Sequence, residues 1–189
     1  MIEIISGTDI PNSSTLKFAN ILAEDYRALK VPVDVLDVAK LDVADFAGAE
    51  YGKPRGSVLE GVKRATSADG IVFVVPEYNG SFPGILKLFI DHWKYPDAFE
   101  FRPVAFVGLG NRWGGLRPVE HLQQVFGFRN AYVLPHRVFI SGAGELIKDG
   151  TVSDPVINDL LKTQARDFVK FIQALKHQSL DANSFLKRT

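Results

Sequence analysis

Gly70-Ile71-Val72-Phe73-Val74-Val75-Pro76-Glu77-Tyr78-Asn79-Gly80-Ser81 is an unbroken apolar run that opens into a polar turn, followed by Phe82-Pro83-Gly84-Ile85-Leu86-Lys87-Leu88-Phe89-Ile90-Asp91. A β-branched run that is apolar at every position is the pattern of a strand buried on both faces, as in a parallel sheet with helices on either side. Ligands of such sheets bind beyond the carboxyl ends of strands, which makes residues 76–81 a candidate site. The residue types suit an aromatic, hydrogen-bonding ligand. Gly80 permits positive φ or close backbone approach, Asn79 both donates and accepts, and Tyr78 offers a flat face with a polar tip. No nucleophile stands beside a base. The same letters also read as an ordinary strand-to-helix turn, with Ser81 as N-cap and Pro83 in the first helical turn.

A second loop decides between these readings. Ser6-Gly7-Thr8-Asp9-Ile10-Pro11-Asn12-Ser13-Ser14-Thr15 follows the apolar Ile2-Glu3-Ile4-Ile5 and leads into a helix marked by Ala19, Leu22, Ala23 and Tyr26. The loop therefore ends at a helix N-terminus, where free N–H groups and the helix dipole favour a phosphate. Capping accounts for one or two of the hydroxyls, but it does not require Thr8, Ser13, Ser14 and Thr15 together. Other nucleotide motifs fit poorly. There is no Gly-Lys-Ser/Thr for a P-loop. In Gly108-Leu109-Gly110-Asn111-Arg112-Trp113-Gly114-Gly115 the glycine spacing is one residue off a dinucleotide loop, and the stretch follows a late strand.

Strands are expected near 1–6, 32–38, 70–76, 103–109 and 131–140, and helices near 14–29, 57–67, 82–94, 115–127 and 154–176. This alternation predicts an α/β chain with a five-stranded parallel sheet covered on both faces. Ser57-Val58-Leu59-Glu60 matches a capping box, and Asp154-Pro155 places a cap before a proline at the first helical position. Ile157, Leu160, Leu161, Phe168, Ile172 and Leu175 form an apolar stripe that reads as core. Residues 39–56, including Ala47-Gly48-Ala49 and Tyr51-Gly52, are irregular and read as a surface loop, with a lid or subunit contact as the alternative. One domain is expected over 1–176, followed by a polar tail at 177–189 that frays or packs loosely.

Composition narrows the function. The 189 residues carry zero net charge and no basic run, so nucleic-acid or anionic-membrane binding has no electrostatic basis. No apolar stretch approaches the roughly 20 residues of a membrane span. The lack of cysteine excludes thiol chemistry and iron–sulfur ligation, and with no signal peptide a cytoplasmic protein is expected. His92, His121, His136 and His177 are scattered without metal-ligand spacing, Glu120-His121 reads as a solvated helix face, and no Gly-x-Ser-x-Gly elbow is present.

With Ser6-Gly7-Thr8 through Ser13-Ser14-Thr15, then Pro76-Glu77-Tyr78-Asn79-Gly80-Ser81-Phe82-Pro83-Gly84, then Gly114-Gly115-Leu116-Arg117, the chain resembles the NAD(P)H-dependent FMN reductases of the flavodoxin-like proteins, relatives of azo, quinone and chromate reductases. The resemblance covers about residues 1 to 175. It implies a three-layer flavodoxin-like fold with strand order 2-1-3-4-5, FMN as cofactor and NAD(P)H as co-substrate. It also implies ping-pong hydride transfer through flavin N5 to a small oxidised acceptor such as a quinone or azo compound. By the same resemblance, Thr8, Ser13, Ser14 and Thr15 take the phosphate. Pro76, Glu77, Tyr78 and Asn79 line the isoalloxazine, with backbone amides near Asn79 and Gly80 on its polar edge, and Gly108, Leu109 and Gly110 border the ring. The family forms homodimers or homotetramers, and Trp93-Lys94-Tyr95 is the expected interface anchor. Arg112 and Trp113 either overhang the flavin or serve as a solvent-facing cation and a packing ring. Where family members usually carry an arginine in the phosphate loop, this chain has Ile10, beside the carboxylate of Asp9. Loss of one charged hydrogen bond corresponds to roughly 10- to 100-fold in FMN affinity. Two other readings therefore stay open: a flavodoxin-type electron carrier, and a flavin-free binding or regulatory protein on the same fold.

Overall fold

The apolar runs pair side by side. In the computed structural model, which describes residues 1–186 other than 48, 49, 52, 96, 97 and 129, β1 (Ile2–Ser6), β2 (Val33–Asp37), β3 (Gly70–Pro76) and β4 (Pro103–Gly110) are all parallel. The edge beyond β4 is made by β5 (Tyr132–Val133) and β6 (Val138–Ser141), and the sheet order is β2-β1-β3-β4-β5, with β6 also on β4. The expected order is thus observed. The connecting helices are α1 (Ser14–Ala28), α2 (Gly56–Ser67), α3 (Gly84–Asp91) and α4 (Leu116–Phe128). A small hairpin of β7 (Ile147–Lys148) and β8 (Thr151–Val152) precedes α5 (Pro155–His177) and α6 (Ala182–Leu186).

Alternate residues of the central strands build two cores. Ile4, Val72, Val74 and Val107 meet Phe18, Leu22 and Tyr26 of α1 and Leu161 and Phe168 of α5. Ile5, Ile71, Phe73 and Phe106 meet Val58 of α2, Phe89 of α3, and Leu122 and Phe126 of α4. The result is three layers. On the second face Phe73, Phe106, Phe126, Phe99 and Trp93 form one aromatic cluster, with Phe73 and Phe126 centroids 4.9 Å apart and Trp93 and Phe99 5.4 Å apart. Trp93 is fully buried there, so the expected interface anchor is core; Tyr95 alone of that trio's aromatics is exposed.

The predicted strand over 131–140 is interrupted. Val104 pairs with Val133 and Val107 with Val138, so three steps on β4 face five on the edge. The surplus lies around Pro135, which has no N–H to donate. The carboxamide of Gln164, wholly buried on α5, compensates: its Nε2 donates to Phe106 O at 2.9 Å and to His136 O at 2.8 Å.

Helix starts divide into local and borrowed caps. Asp154 caps α5 as expected, accepting from Val156 N and Ile157 N ahead of Pro155. Ser57 is not the cap of α2, which begins after Arg55. Instead the Ser57 N–H and hydroxyl both donate at 2.7 Å to Asp45, from the loop before the helix. That loop holds two short 3-10 turns, Val38–Lys40 and Val43–Asp45. Its Gly48, Ala49 and Gly52 lie outside the described residues. Of the two expectations for the tail, fraying or loose packing, the described part shows packing against the domain. Ala182 N donates to Phe101 O at 3.0 Å, the Phe185 and Phe101 rings stack at 4.1 Å, and Asp181 is buried; 187–189 lie outside the described residues. On α5 the stripe is core except at Leu160, which is exposed.

Candidate functional site

The chain leaves β1 toward α1 on one face of the sheet and leaves its neighbour β3 toward α3 on the other. Where adjacent connections part to opposite faces, a crevice opens at the strands' carboxyl ends. A cleft of about 260 Å³ is found there, lined by Ser14 and Thr15 from the start of α1, Pro76, Glu77 and Tyr78 beyond β3, Leu109, Gly110 and Asn111 beyond β4, and Ala143 and Gly144 beyond β6.

The four hydroxyls of the first loop take different places. Ser14 and Thr15 line the cleft at the first turn of a 15-residue helix, where backbone amides have no intrahelical acceptor. Ser13 is the N-cap, and its Oγ accepts from Leu16 N at 3.1 Å. Thr8 is wholly buried behind the cleft wall; its Oγ1 accepts from Ile10 N at 3.3 Å and shares a 2.7 Å hydrogen bond with the Tyr78 hydroxyl. Two of the four thus face the cleft.

Beyond β3 the chain makes a tight turn. Tyr78 N donates to Ser81 O at 2.8 Å and Ser81 N to Tyr78 O at 3.0 Å, with Asn79 at φ 51° and Gly80 at φ 80°. Positive φ at both central residues defines a type I′ turn, for which Asn-Gly is the favoured pair. The turn occupies the backbone groups of residues 78 and 81 and leaves the amides of Asn79 and Gly80 outside it. Asn79 and Gly80 form its tip and are not among the lining residues. Ser81 is not the cap of α3, which starts after Pro83; its Oγ is 2.8 Å from His121 Nδ1.

One turn earlier on α4, Arg117 Nη1 donates to Glu77 Oε1 at 3.1 Å, so α4 holds the turn at both ends through residues spaced i, i+4. Arg117 belongs to a stretch conspicuous in the sequence, but nothing local marks its carboxylate partner. His121 reads locally as solvated surface.

Gly108 and Gly110 serve a close backbone crossing. The loop after β4 folds back so that a Cβ on Gly108 would lie 2.5 Å from Gly115 O, and one on Gly110 would lie 2.6 Å from Gly115 N. Only hydrogen at these positions allows the crossing. Leu109 and Gly110 line the cleft and Gly108 does not, while the neighbouring Asn111 does. Arg112 lies 5.5 Å over the half-exposed ring of Trp113, and neither lines the cleft. Ala143 and Gly144 are site residues with no sequence signal, because small side chains on a late loop carry no chemistry of their own. No group of three or more metal-ligating side chains stands together among the described residues, and no helix among them is long and apolar enough to cross a membrane.

Known proteins share stretches of this sequence and its fold. An FMN-dependent NADPH-azoreductase of Staphylococcus aureus is 29% identical over 126 residues, spanning 65% of this chain and 66% of the relative, just under two thirds of its length. The solved flavoenzyme NAD(P)H:(acceptor) oxidoreductase FerB of Paracoccus denitrificans superposes with a TM-score of 0.75 at 21% identity, covering 92% of this chain and 97% of that one. A Megasphaera elsdenii flavodoxin superposes with a TM-score of 0.57 at 15% identity, covering 88% and 99%, which supports the flavodoxin-like fold. The model of one family, described as NADPH-dependent FMN reductase, matches residues 1–145, more than half of the sequence and all of the cleft. The chain belongs to the NADPH-dependent FMN reductase family.

Proposed function

We propose that this protein is an NAD(P)H-dependent FMN oxidoreductase that passes two electrons to a small oxidised acceptor, such as a quinone or azo compound, by a ping-pong sequence. The observation that carries this reading is the cleft itself. Hydroxyls and free amides at a helix start form one end, and an aromatic, amide-bearing turn forms the other, on adjacent strands of a switch-point crevice.

The donor set suits a flavin mononucleotide. Ser14 and Thr15 with the α1 amides hold the phosphate, helped by Ser13, which fixes the helix start. Pro76, Glu77, Tyr78, Leu109 and Gly110 would hold the ring system, and the amides of Asn79 and Gly80, at the turn's tip outside the lining, are assigned to its polar edge by the family resemblance alone. Bound flavin supplies hydride acceptance and donation at N5. The protein supplies position and electrostatics. Arg117 pairs with Glu77 at the wall, so an unpaired carboxylate would not oppose the negative charge that a flavin ring gains on reduction. The glycines at 108 and 110 let the loop after β4 fold back over the strand end, which sets where Leu109, Gly110 and Asn111 stand at the cleft. A single cleft would have to serve nicotinamide and acceptor in turn, which is the basis of the ping-pong reading. Homo-oligomers remain the expectation carried from the family resemblance.

An absorption spectrum of the protein mixed with FMN under anaerobic conditions tests this. The expected result is a bound flavin bleached by NADPH or NADH and recoloured by a quinone, with parallel initial-velocity lines. A flavin that binds but ignores nicotinamides would point to an electron carrier. Failure to bind flavin would remove the proposal.

A further inference from the structure

We propose that Thr8 is not a phosphate ligand but, with Tyr78, a strut across the crevice that fixes the spacing between the two ends of the flavin site. This rests on the flavin reading above. β1 and β3 stay in register up to Ser6 opposite Val74, and Gly7 N extends the ladder by one bond to Val74 O at 2.9 Å. Beyond that point the two connections part to opposite faces of the sheet. Among the described residues, the 2.7 Å bond between Thr8 Oγ1 and the Tyr78 hydroxyl is the side-chain hydrogen bond that joins the diverging loops.

The chemistry of one hydroxyl limits what else Thr8 can do. It has one proton and two lone pairs. The Ile10 N–H occupies one lone pair. If Thr8 donates to Tyr78, its proton is spent and the remaining lone pair would face an anionic phosphate. If Tyr78 donates, both lone pairs are filled and the Thr8 proton is left over, so that burial alone keeps it from a phosphate. In either case the side chain has no exposed surface through which a phosphate could reach it, whereas Ser14 and Thr15 line the cleft. The same bond ties Ile10, in the phosphate loop, through Thr8 to Tyr78, in the ring turn. Loosening it alters both grips together.

FMN and riboflavin share the ring, and only FMN has the phosphate, so the pair separates a strut from a ligand. Dissociation constants from flavin fluorescence quenching are compared for the wild type, T8V, T8S, Y78F, T8V/Y78F and S14A. A strut predicts that T8V and Y78F weaken both flavins by the same factor, about two- to tenfold, and that the double variant is no weaker than T8V alone. T8S, which keeps the hydroxyl, restores binding. S14A weakens FMN only. A T8V loss confined to FMN would make Thr8 a phosphate ligand and overturn the proposal, as would additive or absent effects. Amide exchange in the flavin-free protein gives an arm independent of any ligand: Y78F should speed exchange at Ile10, across the crevice, by about two- to tenfold. An unchanged Ile10 rate overturns the strut, whereas wild-type protein that binds neither flavin while Y78F still speeds Ile10 exchange would overturn the flavin reading instead.

Discussion

Ile10 is 50% exposed two residues past Thr8, and among the described residues no lysine or arginine lines the cleft that Ser14 and Thr15 enter. A phosphate held there meets neutral donors alone, so its charge is balanced by the helix dipole and by water. Ile10→Arg should supply a charge-assisted hydrogen bond and tighten FMN by about tenfold without changing riboflavin, measured by fluorescence titration. Equal affinities for both variants would show that the loop does not face the phosphate. Residue chemistry was readable in the sequence wherever it depends on strand ends. Ser14, Thr15, Pro76, Glu77, Tyr78, Leu109 and Gly110 could be placed because a buried strand followed by a polar turn exposes its next residues at one edge of the sheet. It was unreadable where one hydroxyl among several had to choose a partner. Thr8, Ser13 and Ser14 look alike in the chain, yet one bonds a tyrosine 70 residues away, one caps a helix, and one faces the cleft.

Element boundaries followed local chemistry when the stabilising group was local. Asp154-Pro155 starts α5 by itself, whereas Ser57 and Ser81 look like caps and are taken by Asp45 and His121. Those partners lie 12 and 40 residues off, beyond any local pattern. The α4 clamp makes a testable demand. His121→Ala removes the contact to Ser81, and the type I′ turn should loosen, weakening FMN by about two- to fivefold in equilibrium titration. An unchanged dissociation constant would mean that Asn79-Gly80 holds the turn unaided. The broken edge strand makes another. Gln164→Leu keeps the volume on α5 but leaves the Phe106 and His136 carbonyls without their buried donor, and should cost about 2 kcal/mol in denaturant unfolding. A loss below about 0.5 kcal/mol would show that water enters and replaces the amide.

Across the molecule, ion pairs gather at the end of the sheet opposite the cleft. Asp69, just before β3, accepts from the terminal ammonium of Met1 and from Lys176 Nζ at 2.7 Å. Burial opposes its ionisation, but these two partners outweigh it and hold its carboxyl below the usual 3.8. A depressed folded value means the stabilisation is complete above pH 3.8 and is lost as pH falls through the folded value. Asp69→Asn should therefore lower the thermal midpoint at neutral pH and flatten its decline below about pH 4; parallel acid limbs for the two proteins would refute this. Glu3, buried in β1 and bonded to Arg64 at 2.7 Å, acts in the opposite sense. Burial raises its pKa despite the arginine, so its contribution is present below 4.5 and lost as pH rises through the folded value. Nearby, Arg102 is fully enclosed, donating to Ala98 O and Ala68 O, and burial draws its pKa down to about 10 against the pull of Asp69 and Asp181.

Met1 is fastened to Asp69, and α6 approaches the same corner through Asn183, whose amide is 3.4 Å from Asp69. A tether fused ahead of Met1, or an electrode linkage placed there, would turn the terminal ammonium into an amide, but β1, paired with β2 and β3, would still place the attachment at the back and leave the mouth facing outward. Orientation on a surface, ordinarily left to chance, is in this protein set by where the polypeptide starts its first strand.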